Sequence, residues 1–244
     1  MSKTNIIKTG KGVIQTEAEA VVALVDRIND QFEKAVSAII SCKGRLVVLG
    51  VGKSGLIAQK IAATMASTGT PSQFVHPGDA FHGDLGMITK NDIVLIISNS
   101  GETHELIQIV PAIRNKKVHI IGMIGREKST LYNSVDIIID TSVEKEACLL
   151  NLAPTSSTTA TLAMGDALSI SILEHRGFSA QDFAELHPGG SLGKKLLLTI
   201  DQFVHKNNAI PFVKNNTTVK NALLVISDKG LGVTGVLDSN DKLI

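Results

Sequence analysis

Five polar, mostly glycine- or hydroxyl-rich segments carry the residues best suited to chemistry. The first, Gly50-Val-Gly-Lys-Ser-Gly55, satisfies the G-x-G-x-x-G pattern. A dinucleotide-binding loop also needs an acidic residue roughly 20 positions on, where Val75-His76 stands instead. A P-loop would need a glycine at position 47, which is Val47. A lysine and a serine opening a helix still suit a phosphate or a sugar oxygen, because free N–H groups and the helix dipole favour negative charge there. Lys53 and Ser54 are therefore candidates. The second segment, Ser98-Asn-Ser-Gly-Glu-Thr103, sets Ser98, Ser100 and Thr103 before another helix. One hydroxyl is enough to cap a helix, so this surplus predicts a phosphate anchor. The third couples Lys145-Glu-Ala-Cys148 to Ala153-Pro-Thr-Ser-Ser-Thr-Thr159, a carboxylate followed by a hydroxyl-rich helix start. The last two, His82-Gly-Asp-Leu-Gly86 and His187-Pro-Gly-Gly-Ser-Leu-Gly193, hold histidines among glycines. Loop histidines of that kind are better candidates for chemistry than His119, which lies in an apolar strand and reads as core. No H-E-x-x-H or C-x-x-C spacing occurs, so no metal site is expected.

These segments fall at the ends of apolar runs that must be strands. Arg45–Val51, Gln73–His76, Asp92–Ile97, Val118–Ile124 and Val135–Ile139 alternate with helical patterns at about Ser54–Ser67, Glu102–Asn115 and Thr158–His175. Short continuous apolar strands alternating with helices predict an α/β fold, a parallel sheet covered by helices on both faces. In such sheets ligands bind beyond the carboxyl ends of the strands. Ahead of them, apolar residues spaced three and four apart from Val13 to Ser41 predict one or two helices. The expected organisation is an N-terminal helical segment (1–40), the α/β domain (41–199) and a short appended module (200–244).

The 244 residues carry 24 basic and 23 acidic side chains, a net charge of +1, with 3% aromatics. That balance excludes a global field for nucleic acid or a membrane surface, and the scarcity of aromatics removes stacking platforms for single strands. A polar start (Met1 to Lys11) and the absence of a bilayer-length apolar run predict a cytoplasmic protein, with Cys42 and Cys148 reduced.

Taken together in this order, Gly52-Lys-Ser-Gly55, His82-Gly-Asp-Leu-Gly86, Ser98-Asn-Ser-Gly-Glu102, Lys145-Glu-Ala-Cys148, Ala153-Pro-Thr-Ser-Ser-Thr-Thr159 and His187-Pro-Gly-Gly190 resemble the arabinose-5-phosphate isomerases. These are bacterial enzymes in which a sugar isomerase (SIS) domain precedes paired cystathionine-beta-synthase (CBS) motifs. The resemblance covers roughly residues 10 to 200. The tail is similar only to the start of a CBS pair, a partial CBS-like module.

The resemblance implies a Rossmann-like SIS fold and interconversion of arabinose 5-phosphate with ribulose 5-phosphate through an enediol, without redox cofactor or metal. It points to Lys53, His82, Glu105, Glu146 and His187 as the polar core of the site. Glu146 is the leading C1–C2 base, with Glu105 as its competitor. His187 opens the ring or shuttles hydroxyl protons, Lys53 stabilises negative charge, and His82 could exchange roles with either. Ser54, Ser98, Ser100 and Thr103 hold the phosphate. The resemblance also implies a homotetramer supplying the sugar acid Kdo for lipopolysaccharide; the small residues from Ala58 to Ala66 suit close helix–helix contact. Two other classes remain open. One is a nicotinamide-dependent oxidoreductase; the other is a non-catalytic sugar-phosphate sensor, which no preceding DNA-binding module supports.

Overall fold

The computed structural model describes residues 5–189, 204–205 and 207–244. Two compact units divide between Gly193 and Lys194. The boundary expected near residue 200 and the latter half of the His187 segment, 190–193, lie outside the described residues.

The first unit is built on five parallel strands in the order β2-β1-β3-β4-β5. They are β1 (Leu46–Gly50), β2 (Ser72–Val75), β3 (Ile93–Ser98), β4 (His119–Ile124) and β5 (Ile137–Asp140). Side chains alternate across a strand, so each strand feeds two cores. Leu46, Val48, Ile93, Leu95 and Ile97 pack with α2 (Asp30–Ser41), α3 (Gly52–Ser67) and α6 (Ser156–His175). Val47, Leu49, Val94 and Ile96 pack on the other face with α5 (His104–Asn115). Burial on both faces explains why these strands read as unbroken apolar runs. α1 (Ile6–Val22) lies against α6, where Glu17 accepts a hydrogen bond from Thr159 Oγ1 at 3.0 Å.

The small residues of α3 are used inside the chain. Ala58, Ile61, Ala62 and Met65 are buried, and a Cβ on Gly165 of α6 would collide with Ile61. Their smallness lets α3 and α6 approach each other, so this face is not free for a neighbouring copy. One further expectation needs correction, and one element is added. His119 begins β4 at an exposed position rather than packing into the core. A short helix, α4 (Pro77–Phe81), follows β2, where the spacing of apolar residues carries no helical signal. Its start is fixed by Pro77 and by His76, whose Nδ1 accepts from the Gly78 N–H at 3.1 Å.

In the second unit, β6 (Phe212–Lys214) pairs in parallel with β7 (Gly235–Leu237) across the helix Val219–Lys229. That helix is capped by Thr218 and ended by Gly230 in the left-handed region.

Candidate active site

The sheet changes direction of winding between β1 and β3, which are neighbours although β2 intervenes in sequence. A crevice at the carboxyl end of such a pair is the usual ligand site of an open α/β sheet. A cavity of about 180 Å³ is found here, lined by Val51, Lys53, Ser54, Ile57, Asn99, Pro154, Ser157, Thr158 and Thr161. Larger hollows lie at the opposite end of the sheet, around His119 and Asp136 and around Cys42 and Asp92. They hold none of the predicted residues.

One wall is the start of α3. Gly52 has φ +59°; a Cβ on Gly50 would press on Ser54 O at 2.9 Å, and one on Gly55 on Gly50 O at 2.9 Å. The glycines therefore let the strand pass directly into the helix. This sets Lys53 (exposed) and Ser54 (half-buried) at its N-terminus, with no side chain capping it.

The second wall begins with Asn99. Ser98 is buried; its Oγ accepts from the Gly101 N–H at 3.0 Å and lies 2.9 Å from Thr103 Oγ1. Ser100 Oγ accepts from the Glu102 N–H at 3.1 Å. Thr103 occupies the N-cap position of α5, yet its side chain makes no capping bond. The hydroxyls therefore order the loop and do not merely cap the helix. Ser100 keeps its own O–H to donate, and so does one member of the Ser98–Thr103 pair.

The third wall is the start of α6. Glu146 Oε2 accepts from the Thr155 N–H at 2.8 Å, the Thr155 hydroxyl at 3.1 Å and the Ser157 N–H at 3.2 Å. Partial burial pushes the Glu146 pKa up, but the hydrogen bonds from Ser157 and Thr155 outweigh it and hold the carboxyl below its ordinary value. The Ser157 hydroxyl stands near enough to contribute to that lowering, yet lies outside hydrogen-bonding geometry. Its Oγ and that of Ser156 are buried without a partner among the described residues.

Of the predicted residues, Lys53 and Ser54 line this cavity, Glu146 adjoins it through Ser157, and the Ser98–Thr103 loop contributes Asn99. His82, Glu105 and His187 do not line it. His82 is exposed at the end of α4, before Gly83 at φ +130°. Glu105 is half-buried in the first turn of α5. His187 ends α7 (Ala180–Leu186), where its ring stacks on Phe183 at 3.9 Å and its Nδ1 lies 2.8 Å from Phe183 O. Asn99, Ser157 and Thr158 had no assigned role from sequence. The hydroxyl-rich helix start was visible, but which hydroxyls face the cavity depends on where α6 begins, two residues earlier than its periodicity suggests. Among the described residues no three His, Cys, Asp or Glu side chains gather as a metal site would require.

Known proteins share this sequence pattern and fold. The SIS domain family matches residues 39–171. The arabinose 5-phosphate isomerase KdsD of Pseudomonas aeruginosa is 50% identical over 239 residues, covering 98% of this chain and 73% of that protein. The Escherichia coli K12 enzyme of the same name is 49% identical over 233 residues, covering 96% and 71%. A solved structure of an E. coli CFT073 protein in complex with arabinose 5-phosphate superposes with a TM-score of 0.74 at 41% identity, over 77% of this chain and 100% of that one. A Vibrio vulnificus protein complexed with ManNAc-6P, at 15% identity and a TM-score of 0.65, shares the fold. The chain belongs to the arabinose 5-phosphate isomerase family of SIS-domain proteins.

Proposed function

We infer that this chain interconverts D-arabinose 5-phosphate and D-ribulose 5-phosphate by proton transfer between C1 and C2. The observation that carries the reading is the pairing, at one switch-point cavity, of an anion-binding wall with an ionised carboxylate. The starts of α3 and α5 carry Lys53, Ser54 and the Ser98–Thr103 loop, whose donors fit a phosphate. The start of α6 is already neutralised by Glu146. The two charges are thereby separated, phosphate at one end and base at the other.

In the aldose-to-ketose direction Glu146 takes the C2 proton. The C–H electrons become the C1–C2 double bond, and the carbonyl oxygen takes up the negative charge of an enediolate. Lys53 stabilises that charge. Reprotonation at C1, with one hydroxyl proton moved from O2 to O1, completes the ketose. The three hydrogen bonds of Glu146 fall on Oε2, so Oε1 is the oxygen for this transfer. The unpartnered Ser157 hydroxyl suits a sugar oxygen. His187 opens the ring or shuttles hydroxyl protons, with His82 and Glu105 completing the polar core. In a homotetramer His187 reaches a neighbouring copy's site. Run in the ketose-to-aldose direction, the reaction supplies arabinose 5-phosphate as precursor of the sugar acid Kdo in the cytoplasm, and residues 200–244 form a partial CBS-like module.

A coupled assay offering ribulose 5-phosphate, other pentose phosphates and hexose phosphates tests the reading. Turnover of the arabinose–ribulose pair above all others is expected. Tight binding of these sugars without turnover would favour the sensor alternative.

A further inference from the structure

The loop that carries Ser98, Ser100 and Thr103 is laced to a second loop, residues 125–131, which follows β4. The Gly125 N–H donates to Ser98 O at 3.1 Å and the Leu131 N–H to Gly101 O at 3.0 Å. Gly101 has φ +66°, and a Cβ there would collide with Ser129 Oγ. Glu102 joins the two loops by its side chain. Oε1 accepts from the Thr130 N–H at 2.7 Å, and Oε2 from the Thr130 hydroxyl at 2.8 Å. A carboxylate just ahead of an N-cap ordinarily answers to the helix start; here both oxygens are taken by Thr130. The Thr130 N–H, then its hydroxyl, hold the Glu102 carboxyl below its ordinary value.

The clamp lies between the loop's working residues, two positions after Ser100 and one before Thr103. Glu102 donates its own N–H to Ser100 Oγ at 3.1 Å, and it precedes Thr103, whose Oγ1 pairs with Ser98. Fixing the Glu102 side chain therefore fixes the direction of its N–H, and with it the hydroxyl of Ser100. A small error in placing hydrogen-bond donors around a charged group forfeits much of their worth. We propose that Glu102 is a positioning residue: by gripping Thr130 it holds Ser98, Ser100 and Thr103 in the geometry that binds the substrate's phosphate, without touching the substrate. This rests on that loop being the phosphate anchor.

The test uses the full chain, with inorganic phosphate as competitive inhibitor and arabinose 5-phosphate as substrate. Glu102→Ala is expected to raise both the phosphate inhibition constant and KM about tenfold, with kcat changed far less. Thr130→Val should give a smaller shift in the same direction, and the double variant no more than Glu102→Ala alone, because one clamp is lost either way. Glu102→Gln should recover part of the affinity, since its amide oxygen still accepts from the Thr130 N–H. A loss confined to kcat and thermal midpoint, with KM and the inhibition constant unmoved, would overturn the proposal and leave a structural clasp. So would Glu102 and Thr130 effects that simply add. Failure of the underlying reading looks different: Ser100→Ala would then leave phosphate inhibition at its wild-type value, whatever Glu102 does.

Discussion

Glu146 and Thr155 form a closed pair at the head of α6: one carboxylate oxygen receives both the backbone N–H and the hydroxyl of Thr155, at 2.8 and 3.1 Å. The bond spans a loop of nine positions and sets the candidate base against the cavity wall. It also keeps that base ionised, since these bonds favour the charged form.

Glu146→Gln keeps the shape and removes the proton acceptor. Turnover should fall about 10²–10⁴-fold with little change in KM, the pattern of lost general-base catalysis. Glu105→Gln is the dividing control. Isomerisation that survives Glu146→Gln but stops with Glu105→Gln would reverse the two roles.

The pH dependence follows from the same pair. The folded-state pKa of Glu146 is lowered from the ordinary 4.5, so its contribution to stability is present above about that pH and is lost as pH falls through the lowered value. Thermal midpoints of wild type and Glu146→Gln should therefore differ most near neutrality and converge in acid. A gap that widened as pH fell would contradict this.

Ser100→Ala should weaken phosphate-bearing substrates about tenfold, because a hydrogen bond to a charged group is worth roughly 1.5–3 kcal/mol. Ser98→Ala should in addition lower the thermal midpoint, since Ser98 is buried and also ties the Gly101 N–H and Thr103. Equal melting curves for the two variants, by calorimetry, would dismiss the distinction.

Gly165→Ala tests the contact of α3 with α6. Its Cβ would meet Ile61, which is fully buried. Overpacking of this kind costs about 1–3 kcal/mol, read as a lower denaturant midpoint at unchanged m-value.

The sheet was legible because both of its faces are covered: Leu46–Leu49 and Ile93–Ile97 are buried throughout and so read as continuous apolar runs. The two phosphate-type loops were legible from glycines and hydroxyls at strand ends. What periodicity could not show was contact across loops. Nothing in the spacing pairs Glu102 with Thr130, 28 positions on, or marks Ser98 as buried while Ser100 is exposed. His119 misled because an apolar neighbourhood in sequence does not reveal that a residue sits at a strand's open end. Ala58 and Ala62 read equally well as a surface for another copy or for α6, and only the fold distinguishes the two.

Proton transfer from arabinose 5-phosphate is followed most directly in heavy water, by nuclear magnetic resonance of the sugar carbons with the purified chain. Ribulose 5-phosphate should appear with solvent deuterium at C1, because the proton taken from C2 resides on a carboxylate that can exchange before it is returned. Arabinose 5-phosphate that binds yet stays unconverted, with its C2 hydrogen unexchanged, would contradict the account.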